Sequence, residues 1–97
     1  MVKHIVLFKL KGEADTRRRV ASEFRDALLK LPALIEVLES MEVALNENPS
    51  EDWDLALTAV VPTMADVDIY AKHPAHVAVA AIIAGHKDSR ACVDYEV

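Results

Sequence analysis

The sequence predicts an α+β fold, a four-stranded antiparallel sheet with its helices on one face and a second copy of the chain on the other. Three observations predict it. Hydrophobic periodicity switches between strand and helix spacing in the order β-α-β-β-α-β. The first strand is apolar on both faces, so both sides call for cover. Of the 97 residues, 53% are apolar and 28% charged, more apolar surface than a small monomer readily hides.

Val2 to Leu10 is rich in Val, Ile, Leu and Phe and reads as the first strand, closed by Gly12. His4, Val6, Phe8 and Leu10 share one face; Ile5, Leu7 and Lys9 share the other. From Thr16 to Lys30, Val20, Phe24, Ala27, Leu28 and Leu31 recur at three- and four-residue steps, one buried helical stripe that Pro32 ends. Glu36 to Leu45 is read as the second strand, with Val37, Glu39, Met41, Val43 and Leu45 on one side; its Leu, Glu, Met and Ala content leaves a helix as the competing reading. The Asn- and Pro-containing stretch Asn46 to Asp52 is a turn, and Trp53 to Val61 is the third strand.

Thr63 followed by Asp66 predicts a capped helix start, and the helix runs to about Lys72. Pro74 breaks it, because proline lacks an N–H and its ring strikes the carbonyl of Tyr70 four residues back. Pro74 then opens a second segment, Ala75 to Ala84, stopped by Gly85. Arg90 to Val97 is the fourth strand, with Ala91, Val93, Tyr95 and Val97 on one side. Two split β-α-β units in this order give a ferredoxin-like arrangement. The whole chain, 1–97, is read as one domain. The helices cover one sheet face, and a twofold partner is the simplest cover for the other.

Composition excludes several classes. The most apolar stretch, Val77 to Ala84, is eight residues, and a membrane span takes about 20. No signal peptide is visible, so a cytoplasmic, self-associating protein is expected. The net charge of −5 argues against nucleic acid. The basic run Arg17-Arg18-Arg19 is flanked by Glu13, Asp15 and Glu23 and reads as a solvated helix face. A lone Cys92 excludes an internal disulfide and fits a reducing compartment; beside Ala91 and Val93 it reads as a small strand residue, since an activated thiol needs electropositive surroundings. With only Gly12 and Gly85, a phosphate-cradling loop is excluded.

Three pieces then carry a family resemblance: the opening Val2-Lys3-His4-Ile5-Val6, the segment Tyr70-Ala71-Lys72-His73-Pro74-Ala75-His76-Val77, and the closing Val93-Asp94-Tyr95-Glu96. In order and spacing they resemble the stress-responsive A/B barrel (Dabb) family of the dimeric α+β barrel superfamily. The resemblance implies a homodimer through the sheet face, with a partly apolar cavity between the sheets. Most members have no assigned reaction, and fold alone does not fix one. One branch, plant polyketide cyclases of the olivetolic acid cyclase type, carries out an aldol condensation without a cofactor. By that resemblance His76 is the general base, Tyr70 its positioning partner and His4 a cavity-lining residue; where those cyclases place a further tyrosine, this chain has Phe24, which lacks the hydroxyl. Superfamily relatives also include cofactor-free monooxygenases, for which this sequence offers no motif.

Each of these residues has a plainer reading. Histidine exchanges protons near neutral pH, which suits His76 to proton abstraction; alternatively it donates to a nearby backbone carbonyl. Tyr70 is either a positioning group or a packed ring with a solvated hydroxyl. His4 lines the cavity between sheets if its face points away from the helices; otherwise it is a hydrogen-bonded strand residue. His73 is read as the cap of the second helical segment, His86 as solvated, and Trp53 and Tyr95 as core or interface anchors. No histidines show zinc-ligand spacing, so neither metal nor cofactor is expected from the residues; the family resemblance keeps a divalent ion as an alternative, since some members are reported with one. The sequence thus supports two readings: a dimeric interaction or ligand-binding barrel, and a small enzyme acting on an apolar, carbonyl-bearing substrate.

Overall fold

A computed structural model describes residues 1–97. The elements are β1 (Val2–Leu10), α1 (Ala14–Leu28), a 3-10 turn (Leu31–Ala33), β2 (Ser40–Leu45), β3 (Leu55–Val61), α2 (Met64–Lys72), α3 (Pro74–Ala80) and β4 (Lys87–Glu96). The four strands form one sheet in the order β2-β3-β1-β4, every neighbour antiparallel. This is the ferredoxin-like topology that the element order predicts.

The core lies between the helices and one face of the sheet. Along β1 the residues Val2, His4, Val6, Phe8 and Leu10 are buried, while those between them are half-buried. From β3, Leu55, Leu57, Ala59 and Val61 join them. Val20, Ala21, Phe24 and Leu28 of α1 face this layer. Phe24 meets Phe8 edge to face with ring centroids 5.4 Å apart, a favoured aromatic geometry.

Several boundaries differ from expectation, each for a local reason. The Glu36–Leu45 segment is a strand only from Ser40. Before it, Leu38 N–H donates to the Ile35 carbonyl at 3.1 Å. That turn, not strand alternation, drops Ile35 and Leu38 into the core. β3 starts at Leu55 because Asp54 serves as an anchor: Leu10 N–H donates to its Oδ2 at 2.6 Å, and Arg17 Nε donates to Oδ1 at 3.2 Å. α1 begins two residues before Thr16, with Glu13 as its N-cap residue. α3 ends at Ala80 rather than at Gly85, which does not adopt positive φ; the chain leaves through successive turns. The one positive φ, +104°, is at Gly12 in the turn after β1, where a side chain would be strained.

The helix breaks fall where expected. Thr63 N–H and its hydroxyl both donate to Asp66 Oδ2, at 3.0 and 2.8 Å, fixing the start of α2. At the Pro74 break, His73 has extended backbone angles and its Nδ1 accepts from Ala75 N–H at 3.0 Å. His73 therefore caps α3, as the sequence predicts. The arginine run is engaged locally: Arg17 and Arg18 donate to the Gly12 and Asn46 carbonyls, and Arg19 pairs with Glu23. His86 is half-buried rather than fully solvated.

The opposite sheet face has no cover from its own chain. Ile5 and Leu7 of β1 are half-buried there, beside Ala56, Thr58 and Val60 of β3. Val93 and Tyr95 of β4 stand on the same side, 53% and 40% exposed. No helix of the chain is long and apolar enough to cross a membrane.

Candidate functional site

Strand register decides where the candidate residues go. His4 lies on the same face as Val6 and Phe8, and that face is the helix-covered one. His4 therefore does not line a cavity between two sheets; it is buried inside its own subunit. This corrects the conditional placement from sequence. The reason is packing: Phe8 on that face is required under Phe24, and strand alternation carries His4 with it.

Tyr70 and His76 come to the same place from the other side. Tyr70 is 1% exposed, and its ring sits 5.9 Å from that of His4, edge-on. Its ring centroid is 4.5 Å from that of His76. On an unbroken helix, residues six apart point well away from one another. The Pro74 break between α2 and α3 redirects His76 back over Tyr70, so all three side chains converge.

The hydrogen bonds assign each group a state. His76 Nδ1 lies 2.9 Å from the Ala71 carbonyl oxygen. A carbonyl accepts only, so Nδ1 carries the proton and Nε2 is left with its lone pair. The backbone anchor and the base are thus compatible roles for one ring. Burial lowers the pKa of His76, with the Ala71 bond acting against it and the His4 and Arg90 charges adding to it. The neutral, proton-accepting form is favoured near pH 7. Tyr70 is shifted the other way: burial pushes its pKa well above the usual phenol range, with the Arg90 charge opposing weakly. Its hydroxyl stays protonated, and it has no hydrogen-bond partner in the chain. A buried donor without a partner costs about 1–3 kcal/mol, and such a group calls for a specific explanation, a catalytic role or a bound water among them.

β4 supplies residues that the sequence reading passed over. Its antiparallel pairing sets Asp94 opposite His4, Cys92 opposite Val6 and Arg90 opposite Phe8. Asp94 Oδ1 lies 2.5 Å from His4 Nδ1. The carboxylate is acceptor-only when ionised, so it fixes the proton on Nδ1 and orients the ring. Cys92 Sγ is 3.5 Å from the same nitrogen and 3.8 Å from Asp94 Oδ1. Local desolvation, then the Asp94 carboxylate, push the thiol's pKa up despite some opposition from Arg90; this is not an activated nucleophile. A signal for this cluster existed: Arg90, Cys92, Asp94 and Glu96 alternate with the apolar residues of β4 and form a polar stripe.

Two clefts lie away from this cluster. One, of about 660 Å3, opens beside Trp53 against Leu7, Ala44, Leu45 and Ala56. The other, about 590 Å3 and mostly polar, lies between the start of α1 and the 46–54 loop. Neither includes His4, Tyr70 or His76.

Sheet order and helix placement define a ferredoxin-like α+β protein. More narrowly, residues 2–97 match the model of the stress responsive A/B barrel domain, Dabb, and the chain belongs to that family. Among solved structures it is similar to a dimeric protein of unknown function with a ferredoxin-like fold from Bacteroides fragilis, at 48% identity and a TM-score of 0.95, with 99% of this chain and 95% of that one covered. It is also similar to a dimeric ferredoxin-like protein of unknown function from Thermobifida fusca, at 28% identity and TM-score 0.78, covering 99% and 90% of the two chains. A hydroxynitrile lyase from Passiflora edulis shares the fold at 13% identity and TM-score 0.78, covering 97% and 90%. No curated protein matches the sequence.

Proposed function

We propose that this protein is a cytoplasmic homodimer joined through the bare sheet face. Each subunit holds, under its own helices, a cofactor-independent acid–base site for a small apolar molecule bearing a carbonyl group. The observation that carries the chemical half is the protonated Tyr70 hydroxyl, buried without a partner beside a His76 ring whose Nε2 is free.

In this reading His76 Nε2 removes a proton from the carbon next to the carbonyl, and the anchored Nδ1–H holds the ring in place. Charge then develops on the carbonyl oxygen, where the Tyr70 hydroxyl donates a hydrogen bond. His4, held by Asp94, forms a polar wall. The imidazolium then returns the proton to the same carbon, or, where the enolate carbon has attacked a second carbonyl carbon, to the alkoxide oxygen that this attack creates, and either restores the site. The solved hydroxynitrile lyase supports the fold as a frame for carbonyl chemistry only by analogy.

The test needs no knowledge of the physiological substrate. Exchange of the α-protons of an alkyl methyl ketone in D2O, followed by NMR in the presence of a chelator, reads proton abstraction directly. Wild-type protein accelerates exchange, and His76→Ala removes about 10²–10⁴-fold of that acceleration while leaving the melting temperature nearly unchanged. Tyr70→Phe lowers it by about 10²-fold. Equal exchange by wild type and His76→Ala would overturn the acid–base reading. A parallel fall of stability and rate would make His76 structural.

The dimer half rests on Ile5, Val60, Val93 and Tyr95 lying on an uncovered face, and on the dimeric state of the two solved relatives. Burying one Leu-sized side chain contributes about 1.5–3 kcal/mol, so several per subunit offset the cost of association. A second reading, ligand binding without turnover, is favoured by the apolar cleft beside Trp53. Quenching of Trp53 fluorescence by an apolar dye, unaffected by His76→Ala, would support it.

A further inference from the structure

We propose that His4, Cys92 and Asp94 form a binding site for a divalent ion of the zinc class, separate in its test from the His76 chemistry. The three residues come from two neighbouring strands: Cys92 and Asp94 are two apart on β4 and share one face, and His4 stands directly opposite Asp94 on β1. Their ligand atoms, Nδ1, Sγ and a carboxylate oxygen, all lie within 4.8 Å of one another. Adjacent positions on a sheet face thus place three donors around one point with no loop to organise.

The distances match what a metal requires. With bonds of about 2.3 Å to sulfur and 2.0–2.1 Å to nitrogen or oxygen, a tetrahedral zinc holds sulfur about 3.5 Å from its nitrogen or oxygen neighbours. The observed separations from Cys92 Sγ are 3.5 Å to His4 Nδ1 and 3.8 Å to Asp94 Oδ1. The His4–Asp94 pair, at 2.5 Å, is the one edge that has to widen, by about 0.8 Å, to reach the tetrahedral value. Asp94 is on an exposed edge strand and Cys92 is likewise exposed, so the carboxylate has room to rotate. His4 is buried and already oriented.

The donor set selects the ion. Thiolate, imidazole and carboxylate together suit zinc and its neighbours, whereas magnesium and calcium prefer oxygen alone. On binding, the Cys92 thiol proton leaves to solvent as the sulfur–metal bond forms. The imidazole proton moves from Nδ1 to Nε2, so charge and atoms balance. Two anionic ligands neutralise the ion, and the exposed Arg90 guanidinium, next along the same face, remains outside the set. Three protein ligands leave a fourth position for water, the pattern of a reactive rather than a purely structural zinc. Beside the set, Tyr70 packs edge-on against the His4 ring, and its fully buried hydroxyl has no partner in the chain.

The polar stripe of β4 marks Cys92 and Asp94 in the sequence, but His4 lies 88 and 90 residues away from them and joins them only through strand pairing. The test is titration of the full chain with Co2+ under reducing conditions, then competition by Zn2+. The expected result is one Co2+ per chain, with a near-ultraviolet thiolate-to-cobalt band that Zn2+ abolishes. Cys92→Ser removes that band and weakens binding at least about tenfold, the minimum loss typical even of an outer-shell partner. Asp94→Asn weakens binding while keeping the band. Because Asp94 also orients His4, circular dichroism of both variants confirms the fold, and His73→Ala, remote in function as a helix cap, serves as the unaffected control. Absence of Co2+ binding in the micromolar range would overturn the proposal. So would binding without the thiolate band, or with a band and affinity that Cys92→Ser leaves intact.

Discussion

The two faces of one sheet differ in cover and in polarity. The inner face packs Val6, Phe8, Leu57 and Val61 beneath α1 and is sealed; at its β4 end it turns polar, where His4, Cys92 and Asp94 meet Tyr70. The outer face is moderately apolar from β3 to β4 and has nothing over it. A sealed face supports stability and holds side chains in fixed rotamers. A bare one supports association. The candidate chemistry sits on the helix-covered side, so the proposed dimer contact and the proposed acid–base site would use opposite surfaces of the same strands.

Substitutions on each face separate the two roles. The largest effect is expected inside. Phe24→Ala removes the partner of Phe8 and costs about 3–5 kcal/mol, which chemical denaturation reads as a large fall in midpoint. Next is Val93→Asp on the outer face, placing a charge in the proposed interface. It converts dimer to monomer in size-exclusion chromatography with light scattering while the secondary structure persists. If Val93→Asp instead unfolds the chain, association and folding are one event and the division of labour fails.

A subtler contrast is in pH. His76 has a folded-state pKa below its ordinary value of 6.5, chiefly through burial. Below pH 6.5 the unfolded chain binds the proton more readily than the folded one, so the contribution of neutral His76 is complete above that pH. It is lost as pH falls from about 6.5 through the lower folded-state value. His76→Gln should flatten the drop in melting temperature on that acid side, whereas Val93→Asp should not. The smallest expected effect is at the α2 start: Thr63→Ala removes the hydroxyl bond to Asp66 and costs about 1 kcal/mol, on a helix end that belongs to neither face.

Local signals made the element order legible. The Thr63–Asp66 pair, the Pro74 break and the His73 cap depend on neighbours within a few residues, and sequence reports such neighbours well. The convergence of Tyr70 with His76 also follows from that break. What sequence alternation leaves open is which of two faces points inward, because both sides of β1 are apolar. That ambiguity put His4 conditionally between two sheets, when Phe8 under Phe24 turns it toward the helices. Gly85 misled for a related reason: a glycine permits a left-handed stop but does not impose one. The β4 cluster was the least visible part. Its partners are set by register between the two ends of the chain, and the apolar residues of β4 drew the reading to the outer face. Reading both stripes of β4 would have singled out Cys92 and Asp94 beside any residue of β1 on the inner side.

The central claim is that the twin subunit covers the outer face and leaves the helical side free. Intermolecular methyl NOEs in a sample mixed from isotope-labelled and unlabelled chains test it directly. The account predicts contacts between subunits from the methyls of Ile5, Val60 and Val93. Contacts from Ile69 and Val77, which are 52% and 55% exposed on the helices, with silence from the sheet methyls, would contradict it.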